Sequence, residues 1–106
     1  MTYHVVISEQ AEQDLRRIYS YIAFDLLSPM NAAGQLERLE CNIMELQQLP
    51  ERFRLYEKEP WHSRGLRIMP VDNYVVFYIT DQKKELVTII RVMYQGQNIN
   101  RHLKET

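Results

Sequence analysis

Arg91 stands inside the most apolar run of the chain, LVTIIRVMY at 86–94, and that run passes directly into QGQNINRHL at 95–103. A guanidinium is always charged and offers its donors in a planar fork, so it pairs with a carboxylate or holds a phosphate. Buried without a partner it would be prohibitively costly. On strict alternation, Leu86, Thr88, Ile90, Val92 and Tyr94 share one face of this run, while Val87, Ile89, Arg91 and Met93 share the other. Arg67, between Leu66 and Ile68, is expected on the face of Arg91. That face is expected to be the open one, with Glu57, Glu59 or Asp72 as pairing acids for Arg91, or else a partner or RNA in contact with it. His102 titrates near neutrality in an ordinary setting and is the candidate for proton transfer. Neither His62 nor His102 has a companion at metal-ligand spacing, and Cys41 stands alone, so no metal site and no reactive thiol is expected. The three glycines are isolated, which excludes a phosphate-cradling loop, and no cofactor is expected.

The elements that must position these residues read clearly. Tyr3 to Ile7 is a short β-branched strand, and Ser8 is placed to cap a helix whose first turn holds Glu9 and Glu12. Ala11, Leu15, Ile18, Ile22 and Leu26 then recur at helical spacing and predict a helix over about 9–27. Tyr19, Tyr21 and Phe24 widen its apolar stripe and are expected to pack in the core. Ser28-Pro29 opens a second helix with Ala32, Leu36, Leu39, Ile43 and Leu46 on its face and Met44 and Leu49 beside it. Gly34 sacrifices about 1 kcal/mol of helix propensity and is expected to admit the neighbouring helix. A tight connection makes the two helices an antiparallel hairpin. The aperiodic segment 50–64 reads as a solvated loop anchored by Trp61. Strands follow at 66–71, 74–80 and 86–94, joined by turns at Asp72-Asn73 and 81–84. The fold class is therefore α+β in the order β-α-α-β-β-β, a helical hairpin on one face of an antiparallel sheet, with the tail after 94 a fraying end.

The 106 residues suit one domain, and a net charge of −1 excludes a strong electrostatic field. Residues 1–49 are acidic and 50–106 are basic, but neither half is extreme. One cysteine and no long apolar run imply a cytoplasmic protein without a membrane span or signal peptide.

In the order and spacing of AEQDLRRIYSYIA, LQQLPERF, GLRIMPVDNYVVFYI and VTIIRVMYQGQNI, nearly the whole chain resembles the RelE/ParE superfamily of bacterial type II toxin–antitoxin toxins. The resemblance implies a cognate antitoxin and a toxin–antitoxin hetero-oligomer. It also implies one of two activities. RelE-like members cut messenger RNA on the ribosome, and the positions here that match their basic and proton-transferring residues are Arg67, Arg91, Tyr94 and His102. ParE-like members bind and poison DNA gyrase. The family's arginine after Tyr74 is Val75 here, and its basic cluster after the last strand is the neutral Gln95-Gly96-Gln97-Asn98. The resemblance is thus closer to ParE-like members, with no catalytic residue assigned. Arg64, Arg67, Arg91, Tyr94 and Arg101 are expected to contact target or antitoxin. A ribosome-dependent endoribonuclease and a non-toxic relative that only binds antitoxin are the alternatives.

Overall fold

The computed structural model describes residues 2–106. The chain runs through β1 (His4–Ile7), α1 (Glu9–Ser20), a π-helical turn (Tyr21–Asp25) and α2 (Pro29–Met44). Two short 3-10 turns, Glu45–Gln47 and Pro50–Arg52, lead to β2 (Leu66–Val71), β3 (Tyr74–Asp81), β4 (Leu86–Tyr94) and α3 (Ile99–Lys104). Ser8 starts α1 as its sequence position requires: its hydroxyl accepts from the Ala11 N–H at 3.1 Å and donates to the Ile90 carbonyl at 3.0 Å. One side chain thereby caps the helix and ties it to the sheet.

The α+β class and the order of the first six elements agree with the expectation. The sheet itself is mixed, not wholly antiparallel. Its order is β1-β4-β3-β2, and β1 runs parallel to β4, with Ile7 opposite Ile89. Hairpin turns force β2, β3 and β4 to alternate, but the long excursion through two helices leaves β1 free to join either way. Alternation within a strand carries no information about that choice.

The helical hairpin covers one face. Leu15, Leu39, Ile43 and Leu46 pack against Met69, Val76, Tyr78, Ile89 and Val92. The opposite face, expected to be open, is covered too. Leu66, Val75, Phe77 and Met93 form a second cluster roofed by Leu103, with Tyr56, Trp61 and Ile99 packed on it. Tyr56 meets Phe77 edge to face at 5.8 Å. The tail is therefore a docked helix rather than a fraying end, with Asn98 capping it through the Arg101 N–H at 3.2 Å. Its two anchors, Ile99 and Leu103, are four residues apart, too brief a pattern to register as a helix from spacing alone.

Three further expectations are corrected. Tyr21 and Phe24 do not pack in the core but are largely exposed, as are Met44 and Leu49 beside the second helix. The π-helical turn shifts the helix phase after Ser20, so the stripe that α1 begins does not stay on the core side. Gly34 admits no neighbouring helix: a Cβ there would meet only the Arg38 guanidinium, at 3.3 Å.

Leu39 is fully buried, so Leu39→Ala is expected to lower stability by about 2–5 kcal/mol in urea denaturation. Tyr78, buried and donating to the Pro50 carbonyl at 2.6 Å, is pushed up to about 12 by desolvation. The unfolded phenol ionises near an ordinary value of about 10, so the stability from this group is intact below that pH. It is lost as pH rises toward about 12. Tyr78→Phe should flatten this alkaline loss in a pH series of urea melts.

Candidate functional site

Arg91 is set by an irregularity in β4. Phe77 lies opposite Arg91 but Tyr78 lies opposite Ile89, so Ile90 is an extra, unopposed residue. This bulge resets the alternation. Val87 and Ile89, before it, and Val92, after it, all join the helix-side core, whereas Met93 joins the second cluster. The strict faces read from the sequence therefore hold only on one side of Ile90.

The acid that meets Arg91 is none of Glu57, Glu59 or Asp72. Asp14 of α1 receives Arg91 Nε at 2.7 Å on Oδ2 and Nη2 at 3.0 Å on Oδ1. The same Oδ2 accepts the Val92 N–H at 3.0 Å. Nη1 donates to the His102 carbonyl and to Thr106 Oγ1, both at 3.2 Å. Arg91 and Asp14 are 7% and 5% exposed, so the fork is fully engaged inside the protein. Asp72 is instead held at 2.9 Å by Arg38 Nε and at 3.0 Å by Gln35, and these two hydrogen bonds keep its carboxyl below the usual range.

Arg67 does not share the face of Arg91. It lies opposite Tyr78, on the helix side, and its Nη1 donates to the carbonyls of Phe53 at 2.7 Å and Glu51 at 3.2 Å. It braces the 3-10 turn at Pro50–Arg52, whose Pro50 carbonyl also takes the Tyr78 hydroxyl. The two arginines that the sequence places together are thus on opposite faces. Arg64 stacks over Trp61 at 4.9 Å and is otherwise exposed. Arg101 is exposed, 3.9 Å from Glu105, and His102 Nδ1 lies 3.9 Å from the same residue. His62 faces Glu59 at 3.4 Å on the surface of the 55–65 segment. Glu59 is held below the usual carboxylate range, chiefly by hydrogen bonding from Ser63. Among the described residues no group of three His, Cys, Asp or Glu side chains could hold a metal ion. Among the described residues no helix is long and apolar enough to cross a membrane.

Tyr94 ends β4, half exposed and edge to face with Tyr74 at 5.8 Å. Burial raises the Tyr74 phenol, with Tyr94 and Tyr21 adding to the effect. The QGQN segment that follows is a tight turn: Gln97 N–H donates to the Tyr94 carbonyl at 3.0 Å. A Cβ at Gly96 would come within 2.6 Å of the Tyr94 ring, so a larger residue there would push that half-exposed ring aside. Together with Ile18, Tyr21 and Leu26, the two tyrosines wall a groove of about 680 Å³. Beyond it the hairpin tip exposes Phe24, Leu27 and Met30, at 69%, 82% and 89%. Positional reading missed this apolar surface, because residues at helical spacing were assigned to the core.

Residues 5–99 match the family described as "ParE toxin of type II toxin-antitoxin system, parDE". Among solved structures, the chromosomal ParDE toxin–antitoxin system of P. aeruginosa aligns at TM-score 0.71 and 18% identity, covering 88% of this chain and 96% of that one. A mutant of the E. coli toxin RelE in its free state aligns at 0.65 and 17% identity over 99% and 98%. The RelBE2 toxin–antitoxin complex of Mycobacterium tuberculosis aligns at 0.63 and 21%, over 89% and 99%. At these identities the likeness to solved structures is one of fold. No match was found among curated proteins.

Removing one partner of a buried pair strands the other charge, so Asp14→Ala is expected to cost about 3–5 kcal/mol in urea denaturation. The double variant Asp14→Leu/Arg91→Met should cost clearly less than the sum of its single changes, and a double-mutant cycle measures the difference.

Proposed function

The chain belongs to the ParE toxin family of type II toxin–antitoxin systems, and we propose that it arrests growth in the cytoplasm by docking on DNA gyrase until its cognate antitoxin neutralises it. The observation that carries this reading is the engagement of Arg91 by Asp14. Cleaving RNA at a ribose 2′-hydroxyl needs preorganised positive charge at a crowded phosphate and a group to move a proton. Arg91 has given its fork to Asp14, His102 and Thr106, and Arg67 has given one Nη to backbone carbonyls. Val75 is a buried member of the second cluster, and Gln95 to Asn98 carry no charge. The face on which a phosphate would rest is filled by Phe77, Met93 and Leu103.

Docking needs the opposite features, and the surface offers them. Phe24, Leu27 and Met30 crowd the tip of the helical hairpin, where an apolar cluster marks an interaction site. A rigid hairpin that presents such a tip needs no chemistry to block a larger enzyme.

Purified protein tested side by side on gyrase and on translating ribosomes separates the mechanisms. Inhibited supercoiling or trapped cleaved DNA is expected, with messenger RNA intact. Phe24→Asp with Leu27→Asp should weaken gyrase inhibition by about tenfold or more without unfolding, since both side chains are exposed. Cuts in ribosome-bound messages that disappear in Tyr94→Phe would replace this reading with the ribonuclease.

A further inference from the structure

Three residues of the helical hairpin and its exit weaken the fold, and no contact inside the fold explains them. Among the described residues, Leu27, Leu49, Asp72 and Glu85 hold left-handed backbone without being glycine. Asp72 and Glu85 sit in the turns of the two β-hairpins, but Leu27 (φ 54°) and Leu49 (φ 45°) flank α2. A leucine is a poor choice there, because its Cβ crowds the backbone where glycine meets no clash. Neither side chain offsets this by packing, since the two are 82% and 75% exposed. Gly34 is the third, a glycine inside α2 where any ordinary side chain would favour the helix. A Cβ there would meet only the end of the exposed Arg38 side chain, at 3.3 Å.

All three belong to one surface. α2 turns Leu36, Leu39 and Ile43 to the core, so Met30, Gly34, Glu37, Cys41 and Met44 fall on the side away from it. Their alternating spacing of four and three makes a straight stripe along the helix, and all but Gly34 are exposed. Leu27 precedes the stripe. Leu49 meets its far end, where Cys41, Met44 and Leu49 wall a groove of about 780 Å³. The 16 residues of α2 set the two ends about 24 Å apart. Glu37, Glu40 and Glu45 flank the stripe, and among the described residues none of them is in an ion pair. Arg38, the base of this helix, is already held by Asp72 at 2.9 Å.

We propose that the outward face of α2, from Leu27 to Leu49, lies against gyrase and fits an apolar strip there flanked by lysine and arginine. The proposal rests on the gyrase reading above and specifies the contact. Area demands more than the hairpin tip. At about 150 Å² each, Phe24, Leu27 and Met30 supply roughly 450 Å², against about 800 Å² from each partner in a stable complex. The stripe supplies the remainder. Gly34 lets the partner approach the helix backbone closely, and the unpaired carboxylates select basic neighbours. The same charges disfavour a second copy of this chain, because stripes facing across a two-fold axis would bring their Glu37 carboxylates together.

The test reads stability and gyrase inhibition on the same variants of the full chain. Leu27→Gly, Leu49→Gly and Gly34→Gln should each hold or raise the urea midpoint, yet weaken inhibition by about tenfold or more. Glu37→Gln with Glu40→Gln should weaken inhibition at low salt, by an amount that shrinks as salt is added. Lost inhibition that comes with a lower urea midpoint marks these residues as structural and overturns the proposal. Wild-type inhibition that Leu49→Gly, Gly34→Gln and the double glutamine variant all leave intact overturns the α2 face while the gyrase reading stands. A chain that leaves gyrase untouched overturns both. Variants that inhibit gyrase normally but no longer bind the polypeptide encoded beside the chain assign the face to the antitoxin and overturn the proposal. A dimer of the chain alone that Leu49→Gly dissolves assigns it to a second copy, with the same result.

Discussion

The Asp14–Arg91 pair is the joint on which the structure turns. Asp14 comes from α1, Arg91 from β4, and the remaining donor of Arg91 reaches the end of α3. A helix from the start of the chain and the last strand and helix at its end are held by one buried carboxylate and one buried guanidinium. Such a pair loses its hydration, and the attraction compensates only when each oxygen and nitrogen finds a partner. Here Asp14 takes two guanidinium donors and a backbone N–H, and the fork is completed by a carbonyl and a hydroxyl. A pair of this kind contributes less to net stability than to arrangement: an alternative packing of α1 or α3 would strand a charge.

The arrangement it enforces is a sheet covered on both faces. The hairpin lies over one, while α3 and the 55–65 segment lie over the other. The bulge at Ile90 is what lets a single strand serve both. It turns Val92 back to the helix-side core after Arg91 has been delivered to the junction. The consequence for function is a division of labour. Two arginines of the sheet are absorbed as braces, Arg67 under the Pro50 turn and Arg91 under α3. What the surface retains is apolar and aromatic, at the hairpin tip and beside the end of β4.

Much of the fold was legible because it rests on local rules. Ser8 caps α1, Pro29 opens α2, and the three later strands begin and end close to where β-branched runs and turn residues place them. The site was legible only in part. Arg91 was identifiable as anomalous, since a charge amid apolar neighbours demands a partner, but the partner was not. Asp14 lies 77 residues away on a helix face where an acid raises no suspicion. Arg67 was assigned to the wrong face relative to Arg91, because strict alternation was carried through a strand that contains a bulge. Tyr21 and Phe24 were assigned to the core because helical spacing was carried through a π-helical turn.

The errors share a cause. Periodicity assumes one residue per step, and a single inserted residue reverses every side chain beyond it in a strand or rotates every one beyond it in a helix. The sequence by itself determined the class, the order of the first six elements, the Ser8 cap, and the absence of charge at Val75 and Gln95 to Asn98. Only the tertiary structure decided that β1 pairs in parallel, that α3 closes the second face, and that Arg91 belongs to Asp14. Those outcomes depend on which distant segments meet, and contact between distant segments is settled by packing and by the cost of an unpaired buried charge.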